Sequence, residues 1–280
     1  MTPNDFTDIL YQRDDSGVVN ITINRPEIKN ALTIRVVMEL FYAAEAFEKD
    51  PLAGAAIITG AKAPNHPDPS REAFSSGAYF NPAELQAISA LNLPDFDPTD
   101  IALKKLCLKL WGIDKRIIAA INGLAIGGGF TIPLACADLI YVSEHSWVRL
   151  PFGRLGLTPE LASSYLLPRL IGLQKTKELF FFGEKLDARQ LLELGLVNKV
   201  LPHDQLLSYA REMALRLIPP LGPPLSVQWT KHILHKPLIE AVTQALDREN
   251  EMLNKAFGTE DFFEALSARL AKREPIFKGN

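Results

Sequence analysis

From Ile117 to Ala137 the chain carries no Asp, Glu, Lys or Arg. This run of 21 residues is long enough to cross a bilayer, which takes about 20. Its interior argues otherwise. It holds Asn122, Gly123, Thr131, Pro133 and the triplet Gly127, Gly128 and Gly129. Three consecutive glycines weaken any spanning helix. The better reading is a buried strand over Ile117 to Ile121, a glycine turn, and a buried helix from about Phe130 to Ala137. With 47% hydrophobic and 22% charged residues, the chain can build a core around such a segment. Thirty basic against 33 acidic side chains leave a formal charge of −3, which gives no reason to bind nucleic acid or an acidic membrane. Two cysteines, Cys107 and Cys136, fit a reducing compartment. The opening MTPNDFTDIL lacks the apolar stretch of a signal peptide, so the expected location is cytoplasmic.

Around the uncharged run, strands alternate with helices. Val19, Ile21 and Ile23 alternate with polar residues, the two-residue period of a half-buried strand. Thr33 caps a helix with an apolar face of Val36, Val37, Leu40, Phe41, Ala44 and Phe47. Ala55 to Thr59 and Leu139 to Val142 are short strands. Asn81, Pro82 and Glu84 read as a helix start, with loops over Ala61 to Arg71 and Leu91 to Asp100 on either side. A helix is expected from about Ile101 to Ile113, another after the Asp187/Gln190 capping box, and a brief strand over Leu196 to Val200. Beyond His203 the pattern is helical. The expectation is an α/β fold, one domain over 1–280, with a core to about residue 200 and a helical region over 201–280 that packs on the core or on another subunit.

Many site signatures are missing: there is no GxSxG, HExxH, CxxC or GxxxxGK[ST]. His232 and His235 read as solvated helix surface, and no metal site is expected. The glycine turn is more informative. N–H groups at a helix start lack intrahelical partners, and glycine lets a ligand oxygen approach them. Close packing of strand on helix explains the same residues, and both readings stay open. Ser75-Ser76-Gly77-Ala78 follows an apolar stretch in the same way and can offer a second donor. Glu160, after Thr158 as cap and Pro159, is either a helix-end acid or a general base among Phe152, Leu155, Leu157 and Leu161.

Five segments together resemble the crotonase, or enoyl-CoA hydratase/isomerase, superfamily. They are INRPEIKNALT (Ile23 to Thr33), AFSSGAYF (Ala73 to Phe80), AAINGLAIGGGFTIPLACADLIYVSE (Ala119 to Glu144), PFGRLGLTPELASSYLLPRLIG (Pro151 to Gly172) and FGEKLDARQLLELGLVNKV (Phe182 to Val200). The resemblance implies a spiral of ββα units with a C-terminal helical trimerisation region, and a homotrimer or dimer of trimers. It implies an acyl-CoA thioester substrate and no further cofactor, coenzyme A being part of the substrate. The oxyanion donors would be the backbone N–H groups of Ser76 and Gly128. Lys29, Asn30, Ala31, Leu32, Ser76, Gly77, Ala78, Tyr79, Phe80 and Lys272 fall where the family handles coenzyme A.

The departures from the family matter as much. Typical hydratases carry two glutamates where this chain has Thr131 and Phe152. The segment from Pro151 instead is similar to that of peroxisomal-type Δ3,Δ2-enoyl-CoA isomerases, whose single glutamate falls at Glu160. The resemblance therefore implies an isomerase with Glu160 as acid and base, an acyl pocket of Phe130, Thr131, Phe152 and Leu155, and weak or absent hydratase activity. Tyr79 and Thr131 leave open hydrolysis, decarboxylation or C–C cleavage of an acyl-CoA, or a catalytically silent CoA-binding homologue.

Overall fold

The computed structural model describes residues 1–63, 68–80 and 97–280. The helix start expected at Asn81, Pro82 and Glu84 lies outside these residues, as do parts of the two expected loops. In chain order the elements begin with β1 (Ile9–Arg13), β2 (Val18–Ile23), α1 (Ile34–Lys49), β3 (Ala55–Gly60) and β4 (Ala73–Ser75). Then come α2 (Lys104–Trp111), β5 (Arg116–Ile121), β6 (Leu124–Ile126), α3 (Gly128–Cys136), β7 (Leu139–Ser143) and β8 (Trp147–Arg149). The rest is α4 (Ser163–Ile171), α5 (Leu173–Phe182), β9 (Leu186–Asp187), α6 (Ala188–Glu193), β10 (Lys199–Leu201), α7 (Leu206–Leu215), α8 (Pro224–His235), α9 (Ile239–Ala256) and α10 (Glu260–Leu270).

Two sheets organise these strands. The larger runs β1-β2-β3-β5-β7-β10, parallel except for the β1/β2 pair. The smaller runs β4-β6-β8-β9, parallel except for β8/β9. Each of β3, β5 and β7 in the large sheet is followed by a short strand, β4, β6 or β8, in the small one. This repeated step is the expected ββα spiral, an α/β architecture with parallel sheets.

The uncharged run is the middle step of that spiral. All six residues of β5 are buried, as a central parallel strand covered on both faces requires. Ile117, Ala119 and Ile121 face the main core with α1 and α2, while Ile118 and Ala120 face a second core under α7. At the corner, Asn122 bonds both Gly60 N–H (3.2 Å) and Gly60 C=O (3.1 Å) and donates to Glu72 (2.9 Å). A Cβ on Gly123 would lie 2.1 Å from Glu72 O, so only glycine fits there. No helix among the described residues is long and apolar enough to cross a membrane.

Several boundaries differ from expectation. Strand β6 lies where only a glycine turn was expected, and α3 starts at Gly128 rather than Phe130. Helix α2 starts at Lys104 because Leu103 is left-handed and the Asp100 carboxylate accepts the Lys104 (2.7 Å) and Lys105 (2.8 Å) N–H groups. The Thr33 cap and the Asp187/Gln190 capping box form as expected. His235 is not solvated surface: its ring stacks on Trp111 at 4.3 Å. In the helical tail, Val242, Leu246, Leu253 and Phe262 are buried, whereas Leu225, Trp229, Ile233 and Leu234 are exposed.

Candidate active site

Parallel pairing of β4 with β6 brings their carboxyl ends together. The two turns that follow, at Ser76–Ala78 and at Gly127–Gly128, therefore meet at one edge of the small sheet. A Cβ on Gly77 would lie 2.3 Å from Ile126 O, and Gly77 has φ +79°, so the close approach and the backbone both demand glycine. Gly129 packs equally tightly, its missing Cβ 2.4 Å from Ser75 O. The close-packing reading and the donor reading of these glycines thus describe different residues of one turn.

Which N–H groups are free follows from the partners. Ser76 donates its N–H to Lys29 O at 3.0 Å. Gly77 donates to Ser75 Oγ at 3.2 Å. Tyr79 donates to Leu32 O at 3.3 Å. Ala78 is left with no acceptor among the described residues and is exposed to the cavity. The free donor of this turn is therefore Ala78, not the expected Ser76. In the other turn, Gly127 O accepts the Phe130 (2.8 Å) and Thr131 (3.0 Å) N–H groups, and Gly128 is the first residue of α3. Its N–H is one of the unpaired donors of a helix start.

Glu160 stands against this glycine turn. A Cβ on Gly128 would lie 3.1 Å from Glu160 Oε1. The expected placement of Glu160 in the first turn of a helix does not occur. Residues 157–160 are irregular, Leu161 and Ala162 are left-handed (φ 55° and 57°), and α4 starts only at Ser163. Thr158 is no cap: its hydroxyl is buried without a partner among the described residues. The helix start facing Glu160 is that of α3. Burial pushes the Glu160 carboxyl up to about 7, the charge of Glu249 adds to the rise, and the Gly128 N–H opposes it. The contest between burial and a helix N-terminus is won by burial.

A cavity of about 740 Å³ opens over these groups, within the range of small-molecule sites. Leu32, Val37, Ile126, Phe152, Leu155 and Leu157 give it apolar walls. Arg149, Arg154, Arg269 and Arg273 give it positive charge, against Asp97, Asp100 and Glu160. The tail closes one side through Leu253, Phe257 and Ala265, and Phe80 packs on Phe257 and Phe262 at ring distances of 6.1 and 5.8 Å.

Of the residues expected at the site, Leu32, Ser76, Gly77, Ala78, Tyr79, Phe80, Gly128, Phe152, Leu155 and Glu160 line this cavity. Six others do not. Asn30 is wholly buried as a bracket, accepting Arg25 N–H (2.9 Å) and donating to Ala61 O (2.9 Å) and Ala73 O (2.7 Å). Lys29 is left-handed, and its carbonyl holds the Ser76 N–H; Ala31 is buried beside it. Phe130 and Thr131 are fully buried in α3, and the Thr131 hydroxyl bonds back to Gly127 O at 3.3 Å. Lys272 sits in a left-handed turn after α10, and its neighbours Arg269 and Arg273 line the cavity instead. The four arginines and Glu249 went unnoticed in the sequence. Glu249 had a signal: it occupies a core position in the buried stripe Val242, Leu246, Leu253 of α9.

Comparison with known proteins agrees with this geometry. The chain is 29% identical over 270 residues to a short-chain-enoyl-CoA hydratase of Clostridium acetobutylicum, covering 96% of this chain and 97% of that one. It is 32% identical over 263 residues to a 2,3-dehydroadipyl-CoA hydratase of Escherichia coli, covering 94% and 95%. Among solved structures, an enoyl-CoA hydratase/isomerase from Pseudoalteromonas atlantica superposes with a TM-score of 0.82 at 28% identity, covering 97% of this chain and 100% of that one. The profile of the enoyl-CoA hydratase/isomerase family matches residues 13–280, and with its two-sheet spiral and paired turns the chain belongs to that family, the crotonase superfamily.

Proposed function

We propose that the protein is an enoyl-CoA isomerase that moves a C3–C4 double bond of an acyl-CoA thioester to C2–C3. The observation that carries this reading is the Glu160 carboxylate set beside two N–H groups that no backbone carbonyl engages, Ala78 and Gly128, the second of which steadies Glu160 itself. The thioester oxygen accepts the Ala78 and Gly128 N–H groups. Glu160 removes a proton from C2, the electrons delocalise onto that oxygen as a dienolate, and the same carboxyl returns the proton to C4. One such donor contributes about 3 kcal/mol to an oxyanion. A carboxyl that titrates near 7 suits both halves of the transfer, because it neither holds nor releases its proton too strongly. The apolar walls keep water from the carbanion, and the arginines suit the phosphates of coenzyme A.

Hydration is the second reading, favoured by the names of the relatives. It needs a second acid to place and split a water. The two positions that would supply one hold Thr131, whose hydroxyl is turned back onto its own helix, and Phe152. Incubation with 3-enoyl-CoA and 2-enoyl-CoA in separate arms, read by mass spectrometry, distinguishes the reactions. Isomerisation leaves the mass unchanged, hydration adds one water, and hydrolysis releases free coenzyme A. Net hydration of 2-enoyl-CoA faster than isomerisation of 3-enoyl-CoA overturns the proposal, and turnover of neither leaves a CoA-binding homologue.

A further inference from the structure

Glu160 is followed by two consecutive left-handed residues, Leu161 and Ala162, neither of them glycine or asparagine. Each costs about 1 kcal/mol of strain and persists only where its surroundings hold it. Hydrogen bonds on both sides of the turn hold it. Leu161 N–H donates to Ala102 O at 3.1 Å. Ser163 donates both its N–H (3.0 Å) and its hydroxyl (2.6 Å) to Glu160 O. The rest comes from one distant side chain: Glu249 of α9 accepts the Ala162 N–H at 2.8 Å and the Ser164 N–H at 2.9 Å. Helix α4 has no cap of its own, since Ala162 has no polar side chain, and Glu249 stands in for it. Glu249 is 4% exposed, in a stripe where an aliphatic residue would pack at no electrostatic penalty. Next to it on α9, Asn250 accepts the Ala102 N–H at 2.6 Å, so the helix grips both segments that meet at Leu161.

We propose that Glu249 is a positioning residue for Glu160: it fixes the left-handed turn that sets Glu160 against Gly128, and it places a second negative charge behind that carboxylate. The claim rests on the role given to Glu160 above. Glu249 from α9 is the charge that acts on Glu160 directly; Asp100, Arg149 and Arg154 share the cavity lining with it, and the Cys107 thiol of α2 lies near Glu249 and Asp100. Among them Glu249 is the charge that raises the proton affinity of Glu160, in addition to burial. Burial raises the Glu249 carboxyl above its ordinary value, while the Ala162 and Ser164 N–H groups at the start of α4 pull the other way and favour the carboxylate.

The test is Glu249→Gln, which keeps the shape, retains one acceptor and removes the charge. The Glu160 carboxyl is followed in the substrate-free protein by the infrared band that Glu160→Gln lacks. In Glu249→Gln it is expected to titrate about one pH unit lower than in the unaltered chain. Isomerase kcat is expected to fall about tenfold with KM within about twofold. Unchanged titration with unchanged kcat overturns the proposal. If the unaltered chain fails to isomerise while the band still shifts, positioning stands and the isomerase reading falls. Should Glu249→Gln not fold, Glu249→Asp decides. Its shortened side chain withdraws from Ala162 and Ser164 but keeps the charge, so kcat must drop at least about fivefold with little change in titration. Full kcat in Glu249→Asp overturns the proposal.

Discussion

Two carboxylates, Glu39, wholly buried, and Glu160, partly exposed at the cavity, occupy opposite kinds of surroundings. Glu39 in α1 is wholly enclosed and accepts the N–H groups of Thr7 (3.0 Å), Asp8 (2.8 Å) and Ile9 (2.9 Å), with the Thr7 hydroxyl at 3.2 Å. Its acceptor capacity is filled by the chain leading into β1. Glu160 is only partly buried: it faces the cavity, a partly engaged Gly128 N–H and a second carboxylate. Burial alone therefore does not make a base. A carboxylate with every lone pair matched is a fastener, and one left short of donors is available for chemistry.

Exchanging each acid for its amide separates the two roles. Glu160→Gln should lower isomerase kcat by about 10³-fold, with acyl-CoA binding retained by calorimetry. Activity within tenfold of the unaltered chain would erase the contrast. Next in size, Gly128→Ala puts a methyl 2.7 Å from Leu32 Cδ1 and 3.1 Å from Glu160 Oε1. Turnover should drop about a hundredfold while the fold survives, as circular dichroism would report. Glu39→Gln should do the reverse: denaturant unfolding should show a loss of about 2–3 kcal/mol, with kcat per folded molecule unchanged.

The contrast also has a pH signature. The folded carboxyl of Glu160 titrates at about 7, above the ordinary value of 4.5, so the unfolded chain releases its proton first. This group therefore lowers stability as pH rises from 4.5 to 7, and its effect is constant above that. Glu160→Gln should accordingly become more stable than the unaltered chain across that window, by about 2 kcal/mol at pH 8 once water in the open cavity is allowed for. Activity runs the other way, since the base must be ionised: kcat/KM should rise through about pH 7. The smallest effect is expected at Thr158, whose buried hydroxyl has no partner among the described residues. Thr158→Val should leave stability unchanged or raise it by up to about 1 kcal/mol in thermal unfolding.

Most of the large sheet was legible in the sequence, its edge strand β1 (Ile9–Arg13) excepted, and the small sheet was not. Strands β2, β3, β5 and β7 have five or six residues each, enough to show alternation or a continuous apolar run. Strands β4, β6 and β8 have three residues and β9 has two, too few for any period to register. The site divided similarly. Glu160 and the glycine turn were legible from local residues. The donor at Ala78 was not, because what disqualifies Ser76 is the carbonyl of Lys29, far back in the chain. The cap on α4 was hidden for the same reason: it comes from Glu249, beyond the reach of local motifs.

The Gly128 N–H, finally, cannot serve two oxygens at full strength. In the empty pocket it steadies the negative charge of Glu160. In the mechanism proposed above, an arriving thioester claims it, and Glu160 loses that support as its substrate takes position. The base is thus moderated while the pocket is vacant and sharpened on occupancy. A single backbone donor would then act as an interlock, tying proton abstraction to the presence of an oxygen able to receive the resulting charge.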